Sequence, residues 1–172
     1  MGIEIRPAQK TDAALIADLS RQAFYDSFAD SNTEEDMRKF MNEQFKRDDL
    51  IKEVQMGNGI FFLAYNENEP SGYVRMHDGE RYDAFGNKSS IEIVRIYAVK
   101  SSIGKGIGSA LMTSCIETAS RLNRQVIWLG VWEHNKRAID FYIKWGFTKF
   151  GQHNFTLGND VQTDWLMMKE IG

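Results

Sequence analysis

The sequence predicts one α/β (α+β) domain over residues 1–172, a mixed sheet of about six to seven strands flanked by helices on both faces. Three observations lead there. At 172 residues, 42% hydrophobic and 26% charged, the chain has the length and composition of one globular domain. Apolar residues recur at strand spacing in some segments and at helical spacing in others, in the order strand, two helices, three strands, helix, strand, helix, two strands. No internal repeat, low-complexity tract or linker interrupts that order.

Composition also narrows the function. Lys and Arg number 21 against 24 Asp and Glu, a net charge of −3, which speaks against bulk binding of nucleic acid. The single cysteine, Cys115, has no disulfide partner, and the three histidines show none of the zinc-ligand spacings, so no metal is expected. Glu4, Arg6, Lys10 and Asp12 break up any apolar signal region. The longest apolar run, 60–65, is far below the roughly 20 residues of a membrane helix. These features predict a cytoplasmic protein without a membrane partner.

Taken in order, Ile3 and Ile5 before Pro7 make a short edge strand, since proline has no donor for the ladder. A helix follows, capped by Thr11 or Asp12, with Leu15, Ile16, Leu19 and Ala23 on its buried face. Thr33 caps a second helix. Glu34, Glu35 and Asp36 stand in its first turn, where the helix dipole favours carboxylates, and Met37, Phe40, Met41 and Phe45 form its apolar stripe. The run 60–65, a turn within 66–72, and Tyr73, Val74 and Met76 read as a hairpin. After a polar loop over 79–90, residues 91–99 are rich in β-branched side chains and long enough for a central strand. Ile107, Leu111, Cys115, Ala119 and Leu122 then repeat every three or four residues, which puts Cys115 in the core. Residues 126–132 form a buried strand, Asn135 caps a helix reaching about Trp145, and Gly146 ends it. Residues 147–157 and 161–171 are the last strands.

Residues 91–111 hold the most informative juxtaposition. A strand runs through Ser101-Ser102-Ile103-Gly104-Lys105-Gly106-Ile107-Gly108 into an amphipathic helix. The first N–H groups of that helix lack intrahelical partners, and glycines let the backbone approach an oxyanion such as a pyrophosphate, with Lys105 adding positive charge. A tight structural turn is the other reading. A dinucleotide fingerprint from Gly104 would need glycine where Ser109 stands, and a P-loop would need Ser or Thr where Gly106 follows Lys105.

The loop resembles the acyl-CoA loop, Gln/Arg-x-x-Gly-x-Gly/Ala, of the GCN-five-related N-acetyltransferase (GNAT) superfamily. Gly106 and Gly108 match its small positions, while Ile103 departs from its Gln or Arg. Trp128-Leu129-Gly130-Val131-Trp132 followed by Asn135, Ala138, Phe141, Tyr142, Gly146 and Phe147 is similar to the second motif of that family. Ile3-Glu4-Ile5-Arg6-Pro7-Ala8 with Asp12 resembles its opening, so the likeness covers essentially the whole chain. It implies acetyl-CoA as cofactor and CoA as product. Gly104, Lys105, Gly106, Ile107, Gly108 and Ser109 would surround the pyrophosphate, Tyr97, Ala98 and Val99 would run along the pantetheine arm, and Asn135 and Ala138 would touch it.

The same resemblance makes Tyr142 the acid that protonates the departing sulfur; as residues alone, Phe141, Tyr142 and Trp145 also read as the core face of their helix. Glu92 is a carboxylate inside an apolar strand and needs a partner or a task. Either it reaches the cleft and accepts the ammonium proton, or it pairs with a base on another strand such as Arg75. Cys115, on an apolar helix face, is badly placed for a nucleophile, which favours direct transfer.

The superfamily acetylates many amines, so fold leaves the acceptor open. Asp26, Asp30, Glu34, Glu35 and Asp36 lie on the helices that wall the acceptor site in that family, where they would attract a small cationic amine, though Glu34, Glu35 and Asp36 can equally serve only to complement a helix dipole. Phe28, Thr33-Glu34-Glu35-Asp36-Met37, Ile96-Tyr97, the stretch 127–133, and Gly158-Asn159-Asp160 with Gln162-Thr163-Asp164 are similar to a bacterial branch, the PaiA type, that acetylates spermidine and spermine. This implies a polyamine acceptor. An acetyltransferase for a protein N-terminus, a lysine or another small amine, and a non-catalytic acyl-CoA-binding regulatory module, are the other readings. Phe155 and Trp165 are candidates for a homodimer contact or for core packing.

Overall fold

The computed structural model describes residues 2–172. Seven strands make one sheet, in the spatial order β1 (Ile3–Pro7), β2 (Ile60–Asn66), β3 (Glu69–His77), β4 (Ser90–Ala98), β5 (Val126–Trp132), β7 (Asp160–Glu170) and β6 (Thr148–Leu157). Only the pairing of β4 with β5 is parallel; the other pairs are antiparallel. Pro7 does sit at the end of an edge strand. The hairpin turn is tighter than its composition suggests, because Glu67 and Asn68 both take positive φ and close it in two residues.

Among the described residues five α-helices connect the strands: α1 (Ala13–Phe28), α2 (Glu34–Lys39), which runs on into a π-helical turn at Phe40–Gln44, α3 (Arg47–Gln55), α4 (Ile107–Arg121) and α5 (Lys136–Lys144). On one face of the sheet, Ile107, Leu111, Met112, Cys115 and Ala119 of α4 and Ile139 of α5 pack on Ile91, Ile93, Ile127, Leu129 and Met167. On the other, Ala13 and Ile16 of α1 and Val54 of α3 cover Phe61, Leu63 and Tyr73. Below β5 and β7 that face is closed by Phe85 from the polar loop, against Val126, Trp128 and Leu166. Truncating a side chain as deeply enclosed as Leu111 would cost about 2–5 kcal/mol.

Three details depart from the sequence expectation. Neither Thr11 nor Asp12 caps α1; the Asp12 carboxylate instead accepts from the Arg6 guanidinium at 2.9 and 3.0 Å and from the Gln9 N–H at 2.8 Å, so it ties β1 to the helix. Arg6 holds that carboxyl below the usual range. Helix α3 is unforeseen, since Arg47–Gln55 offers only Leu50, Ile51 and Val54 as apolar anchors, too few to declare a period. Leu122 is 40% exposed, because α4 ends at Arg121 and the chain turns at Asn123 in the left-handed region. Thr33 does cap α2, its Oγ1 accepting from the Asp36 N–H at 3.1 Å.

Candidate active site

The site begins where the parallel pair separates. Pairing of β4 with β5 stops at Ile93 opposite Leu129, and a bulge at Val94 breaks the register of β4 against β3. Beyond that point the two strands diverge, and a cleft of about 1010 Å³ opens between Val94–Ala98 of one and Gly130–Trp132 of the other. Divergence leaves main-chain N–H and C=O groups of β4 without β5 as a partner, an edge that can pair with an extended ligand.

One arm of the cleft lies over the glycine loop. Ser102, Ile103, Gly104, Gly106, Gly108 and Ser109 line it, with Asn135, Ala138, Phe141 and Tyr142 from the start and face of α5 opposite. Gly104 and Gly106 have φ of +83° and +90°, and a side chain at Gly104 would project into open space. This is the backbone that glycine alone adopts without strain, and it turns the first N–H groups of α4, those of Ile107, Gly108 and Ser109, towards the loop. Asn135 Oδ1 accepts from the Ala138 N–H at 3.3 Å and caps α5. Tyr142, 8% exposed, sits between the rings of Phe141 and Phe147; burial, with the Cys115 thiol nearby, raises its phenol above the ordinary value. Cys115 is pushed up to about 12 by burial alone and is therefore a neutral core thiol.

Of the residues singled out from the sequence, Tyr97, Ala98, Gly104, Gly106, Gly108, Ser109, Asn135, Ala138 and Tyr142 are brought to this one cleft. Lys105 and Val99 are not among its lining; Lys105 points to solvent, and the Val99 N–H is taken by the Ser71 carbonyl at 2.9 Å. Ile107 can offer only its backbone, since its side chain is in the core. Glu92 is outside the lining. Its Oε1 lies 2.8 Å from His77 Nε2 on β3, its cross-strand neighbour, so it pairs with another strand, through His77 rather than Arg75.

The other arm is aromatic. Phe24, Phe28, Phe40, Phe45, Trp132 and Phe155 wall it, with Phe24 and Phe40 stacked at 4.3 Å and Phe28 edge-on to Trp132 at 6.2 Å. The turn between β6 and β7 holds this wall in place. Asn159 N–H donates to Asp36 Oδ1 at 2.8 Å, Gly158 N–H to Gln44 Oε1 at 3.0 Å, and Lys39 Nζ to Asn159 Oδ1 at 2.7 Å. Gly158 has φ +63°, and a Cβ there would fall 2.6 Å from the Asp36 backbone, so only glycine permits the approach. Phe155 and Trp165 are half-buried, the first packed on the Phe40 ring and the second against the main core with Lys149 Nζ 4.4 Å above its ring.

The acidic run of the first two helices is turned away from the cleft. None of Asp26, Asp30, Glu34, Glu35 and Asp36 lines it; Asp30 and Asp36 border a separate surface recess with Asp160. The dipole reading fits Glu34, Glu35 and Asp36, which occupy the first turn of α2. Of the charged groups that line the cleft, Arg137, Asp140 and Lys144 stand on α5 and Arg95 and Asp164 on strands β4 and β7, the last two given no role by the sequence argument. Arg95 follows Glu92 as the second charge of a mainly apolar strand, whereas Asp164 stands in the polar first half of β7 and shows no such contrast with its neighbours.

A strand splay beside a glycine loop at a helix start, faced by a tyrosine-bearing helix, offers an extended ligand an unpaired strand edge and an anionic group the first N–H groups of a helix. The sequence model of the acetyltransferase (GNAT) family matches residues 21–147, and the chain belongs to that family. It is an N-acetyltransferase. An N-acetyltransferase encoded in the pepI 3′ region of Lactobacillus delbrueckii subsp. lactis is 34% identical over 170 residues, 99% of this chain and 98% of its own. Among solved structures, the PaiA N-acetyltransferase of Thermoplasma acidophilum in complex with coenzyme A superimposes with a TM-score of 0.77 at 20% identity, covering 99% of this chain and 100% of that one. The acetyltransferase YncA of Salmonella typhimurium, with acetyl-CoA, gives 0.74 at 20% identity over 100% and 95%. Among the described residues no helix is long and apolar enough to cross a membrane.

Proposed function

We propose that the protein transfers the acetyl group of acetyl-CoA to a primary amine of an aliphatic polyamine, spermidine or spermine, by direct attack on the thioester. The observation that carries the acceptor class is the aromatic arm with Asp164 in its wall, which suits a methylene chain ending in a cation. The cofactor reading rests on the open loop at Gly104 and Gly106, the free N–H groups at the start of α4, and the unpaired edge of β4. PaiA and YncA, with the same fold, hold coenzyme A and acetyl-CoA. The single buried thiol fits a reducing cytoplasm.

Acetyl-CoA supplies an acyl group activated as a thioester. The N–H groups of Ile107, Gly108 and Ser109 would hold its pyrophosphate, and the edge of β4 around Tyr97 and Ala98 its pantetheine arm. A main-chain N–H of that edge would face the carbonyl oxygen as negative charge develops there. Tyr142 would donate its proton to sulfur as the C–S bond lengthens, and burial, which raises its pKa, keeps the phenol protonated until then.

The test is thiol release from acetyl-CoA with spermidine, spermine, a lysine peptide, a peptide with a free N-terminus and no acceptor in parallel. Release with the polyamines well above the blank and above both peptides is expected. Release confined to a peptide moves the acceptor to protein, and no release with any amine overturns the reading. Gly106→Ala should raise the Kd for acetyl-CoA about tenfold, since a Cβ at φ +90° strains the loop by about 1–2 kcal/mol. Calorimetric titration alongside a melting curve checks it; unchanged affinity would mean that the loop does not carry the cofactor.

A further inference from the structure

We infer that Asp164, held beside His153 over the point where the sheet splays, is the carboxylate that takes the proton from the acceptor's ammonium group and hands it through His153 to solvent. The inference rests on the transferase reading above and adds the base that reading leaves unnamed.

Position is the first argument. Gly130 is the residue of β5 immediately beyond Leu129, the last to pair with β4. A Cβ built on Gly130 would lie 3.7 Å from Asp164 Oδ2 and 3.8 Å from His153 Nε2, so both groups lean over that residue. Asp164 stands opposite Trp132 on β5 and opposite His153 on β6, at the join of the aromatic arm and the splay. An amine entering along the aromatic arm meets this carboxylate beside the gap into which β4 presents its free edge.

The second argument is that Asp164 has too little else to do. Its side chain is 19% exposed, yet among the described residues the only group within ion-pair distance is His153 Nε2 at 3.5 Å, which is also its one hydrogen-bonding partner. A half-buried carboxylate with so few donors is poorly stabilised as an anion, and burial raises its pKa against the opposing pull of His153. Tyr97 from β4 faces it with a half-buried phenol; β5 contributes Gly130 and Trp132, which carry no charge. Arg95, further along β4, is committed to Glu53. His153, with 47% of its side chain exposed, opens to water and can pass a proton on. Asp140, the other carboxylate of the cleft, is on α5 and bound to Lys136 at 2.8 Å.

The balance closes. The ammonium gives one proton to Asp164, which releases it through His153 to solvent, and the neutral nitrogen forms the N–C bond. The C–S bond breaks, and the second nitrogen proton replaces the one that Tyr142 supplies to sulfur. The sum is ammonium plus thioester giving amide, thiol and one solvent proton.

Asp164→Asn keeps the shape and removes the base. At pH 7, with spermidine or the best acceptor of the panel, kcat should fall about 100-fold while acetyl-CoA affinity holds. Activity should recover towards wild type near pH 10, where the amine sheds its proton unaided. His153→Gln should lower kcat less and act in the same pH range. A rise confined to KM would make Asp164 a charge anchor, and a uniform loss at every pH with a lowered Tm would make it structural; either overturns the inference, as does unchanged kcat. Absence of thiol release by the wild type with every amine overturns the transferase reading and this assignment with it.

Discussion

Replacing Tyr142 with phenylalanine should lower kcat about 1000-fold and leave the Kd for acetyl-CoA within twofold, at the centre of the range for a positioned general acid. The exchange removes one oxygen and keeps the ring that packs between Phe141 and Phe147, so stability should change little. A ring serving only as core predicts the opposite, intact turnover with a small change in Tm. The pH profile gives a second check. The phenol acts in its protonated form, and burial places its pKa above the ordinary value near 10. The wild type should therefore show no loss of kcat between about pH 9 and 10 from this group. An alkaline limb that disappears in Tyr142→Phe would mean that the phenol is less enclosed than its 8% exposure indicates.

Glu53→Gln should lower stability by about 3 kcal/mol, because it strands two guanidinium groups that share one carboxylate. Arg95 on β4 and Arg75 on β3 both reach Glu53 on α3, Arg75 Nη1 at 3.3 Å, and both arginine side chains are largely enclosed. Arg75 also donates from Nη2 to the Asn58 carbonyl at 2.7 Å, whereas Arg95 lies over the Phe45 ring at 5.4 Å and keeps a buried Nε without an acceptor. Removing the negative charge leaves two like charges in a poorly solvated layer. For a chain of this size a melting curve should shift down by about 6–12 °C. Adding Arg75→Met should recover part of that loss, and a shift below 2 °C would mean that solvent already screens the trio. Because Arg95 lines the acceptor arm, freeing its charge should also raise KM for a cationic amine.

The order of elements along the chain and the glycine loop before α4 were legible because they rest on local chemistry, whereas the place of β7 between β5 and β6 was not. Proline at an edge, asparagine before a helix, two left-handed glycines and alternating β-branched residues act within a few positions of themselves. Helix α3 was not, because its apolar anchors are too few to show a period and its stability comes from packing on α1 and the sheet. The acidic run around Asp30 and Glu34 shows the limit of reading charge from composition. Spacing alone gives no direction, and the fold keeps those carboxylates out of the cleft while lining its aromatic arm with phenylalanine.

What the sequence by itself determined is the class of domain and the local conformations of the glycine loop and of the asparagine-capped helix α5, each written in neighbouring residues that adopt their conformation for local reasons. What only the tertiary structure decided is the partner of each charge. Glu92 meets His77, Glu53 is shared by two arginines, and Asp164 is set beside His153 over Gly130. These pairs depend on strand register and on which residues the splay leaves exposed. A carboxylate in water is satisfied anywhere, whereas one enclosed by packing takes its pKa and its role from whatever the fold brings within about 4 Å.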